Sequence, residues 1–107
     1  MAELLDAKPS PEIERQIRSI ASKVPGVVGL EKCDVRKVGF SYYVNLHVIV
    51  HRTISVTEGH GIAHVVEDTV LRSAPRVAEV LVHVEPDDKD HLAKLRGTWF
   101  SPSRRNI

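Results

Sequence analysis

A chain of 107 residues with 42% hydrophobic and 27% charged side chains is long enough to form one domain around its own core. Its 15 basic and 14 acidic residues leave a net charge of +1, which argues against binding to nucleic acid or to an acidic membrane surface. The single cysteine excludes an internal disulfide framework and fits a reducing compartment, and neither a secretory signal nor a membrane-spanning run is expected.

The first predicted helix begins at Pro11 and ends at about Lys23. Ser10 is a suitable N-cap, because its hydroxyl can accept a hydrogen bond from a free backbone N–H, and proline fits the first helical position. Isoleucines recur at helical spacing and predict one buried stripe: Ile13, Ile17 and Ile20. The Pro25–Gly26 pair then ends the helix.

Two strands are predicted next, over Val27–Val38 and Tyr42–His51, with Gly39 in the turn between them. A connection this short predicts an antiparallel hairpin. The first strand alternates imperfectly, whereas the second alternates regularly. One face of the second strand is apolar: Val44, Leu46, Val48 and Val50. The other face is mixed: Tyr43, Asn45, His47, Ile49 and His51.

A second helix is predicted to follow Ser55 and to end at about Ser73, since Ser55 and Glu58 have the spacing of a capping box. Its buried side is predicted to carry Ile62, Val65, Val66, Thr69 and Val70. Nearly opposite lie three polar residues at i, i+4 and i+7: His60, His64 and Glu67. A histidine pair at i, i+4 is a common metal-binding spacing on helices and equally a common solvated face, and the pattern leaves both interpretations open.

The last predicted strand, Val77–Pro86, alternates with period two. One side carries Val80, Val82 and Val84. The other side carries Glu79, Leu81, His83 and Glu85. His83 and Glu85 are i, i+2 neighbours, about 6.5–7 Å apart at Cα, so that one ion can be reached from both. Residues 88–107 are predicted to be a flexible tail with a short helical turn at Leu92–Arg96.

This α-β-β-α-β order predicts an α+β fold, a ferredoxin-like two-layer sandwich with both helices on one face of a three-stranded mixed sheet. The other face of the sheet stays uncovered. A monomer would not usually leave Tyr43, Ile49 and Leu81 bare on such a face, whereas a two-fold partner would cover them. A homodimer is therefore expected.

The same uncovered face is predicted to hold a divalent transition metal. His47, His83 and Glu85 could supply three ligands, and imidazole with carboxylate suits zinc. A fourth ligand could be Cys33, His60 or water. The alternatives are ordinary: His83 and Glu85 as an exposed hydrogen-bonded pair, and Cys33 as a small buried hydrophobe.

Four segments, in this order, resemble the cytoplasmic C-terminal domain of the cation diffusion facilitator transporters, which export zinc and related divalent cations. They are Pro25–Val27, the Val-Asn-Leu-His run ending at His47, Ser55–His60 with Glu67, and the Val-Leu-Val-His-Val-Glu-Pro run ending at Pro86. The resemblance extends roughly from Leu4 to Asp87. It divides the chain into a lead-in at 1–10 that follows the membrane domain, the cation-efflux domain at 11–87 and the tail at 88–107.

The resemblance implies a metallochaperone-like αββαβ fold and a cytosolic homodimer with zinc sites near the dimer interface. It implies ligand roles for His47, His83 and His60, the last acting across the dimer. Glu85 stands where many members have aspartate, and Cys33 lies near a position often held by histidine.

The function expected from these features is a metal-binding, dimerising regulatory domain of a divalent cation efflux transporter, at the cytoplasmic face of the membrane and with the membrane domain as a partner. No catalytic setting is visible, so an enzyme is not expected. A stand-alone soluble metal carrier or buffer of the same fold is one alternative. A small-molecule-sensing module is another, with Glu58–Gly61 as a weak candidate loop. An acylphosphatase-like enzyme would need an arginine–asparagine pair at a phosphate loop, and none is found.

Overall fold

The computed structural model describes residues 9–88, which form two helices and a three-stranded sheet. The elements, in chain order, are α1 (Pro11–Ser22), β1 (Gly29–Val38), β2 (Ser41–Val50), α2 (Val56–Ser73) and β3 (Val77–Pro86). The sheet order is β1-β2-β3, with β1 antiparallel to β2 and β2 parallel to β3. The predicted α+β fold with a mixed three-stranded sheet is thereby confirmed. The predicted tail and its helical turn at Leu92–Arg96 lie outside the described residues.

Helix α1 begins where the sequence predicts, with Pro11 in its first turn after an extended Ser10. The Ser10 side chain makes no capping hydrogen bond, so that part of the prediction was wrong. After the helix, Gly26 adopts a φ of 96°, a left-handed conformation that favours glycine. A Cβ at this position would also lie 2.6 Å from the Cδ1 atom of Ile62. The turn after α1 therefore requires glycine for two reasons.

Helix α2 is anchored by the predicted capping box. The Ser55 hydroxyl accepts a hydrogen bond from the Glu58 backbone N–H at 3.0 Å, and the Glu58 carboxylate accepts one from the Ser55 backbone N–H at 3.0 Å. Val66 and Val70 are fully buried, whereas Val65 is 47% exposed. Val65 was predicted to be buried, and that prediction was wrong. The helix packs on the sheet through a narrower stripe that contains Val66 and Val70, which are i and i+4 neighbours.

The core lies between the two helices and the valine-rich side of the sheet. Its largest fully buried side chains are Ile17, Leu46, Val48, Val66 and Val70. Burying an aliphatic side chain of this size contributes roughly 1.5–3 kcal/mol, so this layer supplies the main drive to fold. In the part of the chain that the structure describes, no helix is both long and apolar enough to cross a membrane. On the opposite side of the sheet, the open face, neither α1 nor α2 covers the strands.

Candidate metal centre

The parallel pairing of β2 with β3 brings two histidines together on the open face. His47 and His83 are direct register partners, and their ring centroids lie 4.6 Å apart with the rings tilted by 33°. The valines next to them in sequence face the helices. Both histidines therefore lie on the same side of the sheet, as the alternation of each strand predicts.

A carboxylate joins this pair from further along β3. The Oε2 atom of Glu85 lies 2.8 Å from the Nδ1 atom of His47, although the register partner of Glu85 on β2 is Ile49. The contact is thus diagonal across the two strands, a distance that a long side chain spans easily. The His47 side chain is 24% exposed and that of Glu85 is 38% exposed, so an ion from solvent can reach both.

A second carboxylate, from Glu31, completes the cluster, and sequence reasoning missed it. The register of β1 against β2 shifts between Leu30 and Lys32, and Glu31 is the residue at this irregularity. One ligand atom from each of Glu31, His47 and Glu85 can be chosen so that all three lie within 4.8 Å of one another. The imperfect alternation of β1 was the available signal, because a β-bulge re-aims a side chain that regular alternation would place elsewhere.

The two carboxyl groups of this cluster perturb each other. The pKa of Glu31 is raised, first by its hydrogen bond to Glu85 and then by repulsion from the Glu85 charge. The pKa of Glu85 is lowered, first by the same hydrogen bond and then by the hydrogen bond with His47. Of the two carboxyl groups, Glu31 is therefore the one that takes up a proton more readily. A divalent cation at this position would relieve the same repulsion without that proton.

Cys33 does not belong to this cluster. It is 7% exposed, pairs with Leu46 across the hairpin and packs in the core beneath the helices. Burial raises the pKa of its thiol to about 11, which keeps it protonated and a poor metal ligand at neutral pH. The suggestion that Cys33 supplies a fourth ligand was wrong, because β1 presents Cys33 on the face of the sheet opposite to His47.

His60 is also separate from the cluster within one chain. It lies on an exposed side of α2 and lines a cleft with Val82 and Val84, which belong to the helix-facing side of β3. Its Nε2 atom lies 3.1 Å from the Nε2 atom of His64. The structure thus brings together His47, His83 and Glu85 from the predicted set, adds Glu31, and places His60 elsewhere.

Part of the open face next to the cluster is apolar. Leu81 is 53% exposed. Tyr43 and Ile49 were expected to be bare, but both are partly buried already in the single chain. The apolar area available to a partner is therefore smaller than the alternation suggested, and Leu81 is its most exposed member among these three.

Comparison with known proteins gives one consistent result. Residues 9–87 match the family model described as the cytoplasmic domain of cation efflux proteins. The chain is 34% identical over 82 residues to Metal tolerance protein 2 of Oryza sativa subsp. japonica, covering 77% of this chain and 21% of that protein. It is 31% identical over 83 residues to Cation-efflux pump FieF of Yersinia pestis (strain Pestoides F), covering 78% of this chain and 27% of that protein. The chain thus spans about a fifth to a quarter of the length of these relatives.

Solved structures agree with the sequence matches. A nickel form of a MamM CTD variant superposes with a TM-score of 0.72 at 26% identity, covering 73% of this chain and 99% of that chain. A cadmium form of another MamM CTD variant gives a TM-score of 0.70 at 25% identity, covering 71% of this chain and 95% of that chain. Almost the whole of each of those domains is therefore matched.

Proposed function

The chain belongs to the cation efflux proteins, as their cytoplasmic domain, and from this premise we propose that it binds zinc on the open face and regulates transport through dimerisation. The observation that carries the proposal is the convergence of Glu31, His47 and Glu85, with His83 stacked beside them. Imidazole nitrogen and carboxylate oxygen are both ordinary zinc ligands. The nickel and cadmium forms of the MamM CTD variants add support, because they are named for divalent ions on the same fold.

The donor set of the cluster fits such an ion. Two carboxyl groups in hydrogen-bond contact need either a shared proton or a cation between them, and the pKa of Glu31 is raised by its hydrogen bond to Glu85 and by the Glu85 charge. Glu31, His47 and Glu85 would hold the ion, and His83 is placed to join them by rotation of its exposed side chain. The bound cation would supply positive charge and would link β1, β2 and β3 through Glu31, His47 and Glu85.

Dimerisation is proposed from the surface around the cluster. Leu81 leaves an apolar patch beside the metal-capable side chains, and a two-fold partner would bury the same patch from each chain. An ion close to such an interface binds the dimer and the monomer with different affinities, so that ion binding and association are thermodynamically linked. That linkage is how a cytoplasmic domain would report the zinc concentration to the membrane part of its transporter.

A zinc titration of the whole chain by calorimetry at neutral pH tests the proposal. We expect binding at micromolar or tighter affinity, with cadmium, manganese and iron titrated in parallel to rank the ions. Zinc binding no tighter than about 1 mM would contradict the proposed function, since a solvent-exposed carboxylate pair alone would explain binding that weak.

Glu31→Gln tests the residue that the bulge brings into the cluster. Glutamine keeps the shape and removes the charge, so we expect zinc affinity to fall by about tenfold, as a ligand charge is lost. The metal-free variant should unfold at the same temperature as the native chain or slightly higher, because the repulsion with Glu85 disappears. Calorimetry measures the first effect and thermal denaturation in a chelator measures the second.

Glu79→Gln is the matched control for that variant. Glu79 is an exposed glutamate on β3 and has the same charge change on the same face of the sheet, but it lies outside the cluster. Its zinc affinity should stay within about twofold of the native value. Equal losses in the two variants would mean that general charge, and not coordination by Glu31, governs binding.

Zinc removal tests the link to dimerisation. We expect the dimer dissociation constant to rise by at least about tenfold when a chelator replaces zinc, which corresponds to a coupling of about 1.4 kcal/mol. Sedimentation equilibrium over a range of protein concentrations measures the constant under both conditions. His47→Ala serves as the control, because it removes a ligand and leaves Leu81 in place. A monomer with and without zinc would refute the dimer.

A further inference from the structure

We propose that a cavity on the open face, called here the amine site, binds a small aliphatic ammonium ion. The cavity lies on the part of the sheet near the turn that joins β1 to β2, and its volume is about 240 Å³. Drug-sized ligands occupy roughly 300–1,000 Å³, so the expected occupant is smaller. Each strand contributes two of the side chains that line the cavity: Asp34 and Arg36, Tyr43 and Asn45, and Glu79 and Leu81. This proposal does not rest on zinc binding or on dimerisation.

The register of the sheet brings these side chains together. Asn45 is the register partner of Asp34 on one side and of Leu81 on the other. The residues that flank Asp34 in sequence, Cys33 and Val35, are buried in the core. Because alternate side chains of a strand point to opposite faces, Asp34 lies on the open face with Asn45. A row of three residues therefore crosses all three strands at the amine site.

An unpaired acceptor in the centre of this row carries the proposal. The Oδ1 atom of Asn45 exposes less than 1 Å², and no donor among the described residues forms a hydrogen bond with it. Buried side-chain acceptors nearly always have a donor. The Cβ–Cγ torsion of asparagine is soft, so a small rotation turns Oδ1 toward the cavity that the side chain lines. The amine site therefore favours an occupant that donates a hydrogen bond.

The charges around the cavity favour a cationic donor. Asp34 and Glu79 contribute two carboxylates, whereas Arg36 contributes one guanidinium, which leaves an excess of one negative charge. The Cζ atom of Arg36 lies 5.8 Å from the ring centroid of Tyr43, so the cation is held over the face of that ring. Leu81 is 53% exposed and offers apolar surface to a carbon chain. A positively charged group on a short aliphatic stem fits this lining.

The spacing of the carboxylates favours an organic cation over a metal ion. Asp34 lies on β1 and Glu79 on β3, with β2 between them, so their backbones are about 9–10 Å apart. Among the described residues, the three metal-capable side chains that converge are those of the Glu31, His47 and Glu85 cluster. An ammonium group has three N–H donors and can bond both Asn45 and Asp34. A second ammonium on the same chain would then extend across the sheet toward Glu79.

Titration of the metal-free full chain with 1,4-diaminobutane at neutral pH and low salt tests the proposal. The side-chain amide of Asn45 is the reporter in ¹H–¹⁵N nuclear magnetic resonance, and the chain has only one other asparagine, Asn106. We expect a saturable shift with a dissociation constant of about 1 mM or tighter. Butylamine, with one charge, should bind more weakly than the diamine. The neutral donor 1-butanol should give no saturable shift.

Asp34→Asn keeps the shape of the side chain and removes one charge from the amine site. We expect the affinity for 1,4-diaminobutane to fall by at least about fivefold, because a partner of the ammonium loses its charge. Asp68→Asn is the matched control, since Asp68 is an exposed residue of α2 outside the cavity. Its affinity should stay within about twofold of the native value. Asn45→Ala, followed through the backbone amide of Leu81, should also weaken binding by at least about fivefold.

Four results would overturn the proposal. The first is no saturable shift with 1,4-diaminobutane, and the second is equal binding of 1-butanol. The third is an equal loss of affinity in Asp34→Asn and Asp68→Asn, which would mean that general charge attracts the diamine. The fourth is a shift of the Asn45 amide by Mg²⁺ at lower concentration than by the diamine, which would assign the cavity to a metal ion. Because the protein is metal-free in the diamine titrations, failure of zinc binding at the Glu31, His47 and Glu85 cluster leaves this test intact.

Discussion

Replacing both His47 and His83 by alanine is expected to remove the zinc binding that is proposed for the open face. The two imidazoles are register partners whose rings are 4.6 Å apart, and one of them is in direct contact with Glu85. Without them, the described cluster retains the carboxylates of Glu31 and Glu85, and carboxylates favour harder cations. We expect zinc affinity at this site to fall by at least about a hundredfold, or about 2.7 kcal/mol, measured by calorimetry at neutral pH.

The double variant needs a control for the loss of histidines as such. His51→Ala removes an exposed histidine that lies beside Asp87 and outside the cluster, and it should bind zinc like the native chain. Circular dichroism of both variants shows whether the fold is kept, since neither histidine of the cluster belongs to the buried core. Zinc bound as tightly by the double variant as by the native chain would eliminate the open-face site.

Leu46→Ala is expected to have the largest effect on stability. Leu46 has no exposed surface and lies on the central strand of the sheet, between its two neighbouring strands and under the helices. Truncation loses the transfer free energy of three carbon atoms and leaves a cavity that a β-strand cannot collapse to fill. We expect the free energy of unfolding to fall by about 3–4 kcal/mol, measured by urea denaturation in the presence of a chelator, with an unchanged m-value.

Leu81→Ala makes the same chemical change on the other face of the sheet. Leu81 is 53% exposed, so that truncation there removes much less buried area and creates no cavity. We expect a loss below about 1 kcal/mol in the same experiment. Similar losses in the two variants would contradict the placement of the core on the helix side of the sheet.

Patterns local to one strand or helix were sufficient for most of the architecture. The valines of β2 and β3 recur with period two, and alternate side chains of a strand must point to opposite faces, so the buried and open sides followed directly. The capping box at Ser55 and Glu58 placed the start of α2 for a similar reason, because both of its hydrogen bonds lie within four consecutive residues.

The candidate site was predicted in part for the same reason. His47, His83 and Glu85 could be assigned to one face because each strand carries its own alternation, and a parallel crossover aligns the two strands. Which residue meets which depends on the register, and the register depends on contacts across the whole sheet. The 2.8 Å contact between His47 and Glu85 is therefore a result of the fold, although both residues were in the predicted set.

What the chain encodes locally in this protein is the order of its elements, the side of the sheet that carries the core, and two histidines with one glutamate on the opposite side. The assembled sheet was needed to bring Glu31 next to His47 and Glu85 and to bury Cys33 among the core residues. A bulge shifts the side chains of one strand by a single residue relative to the next strand. Such a shift arises from hydrogen bonds between strands, so it cannot be predicted from the alternation of residues within one strand.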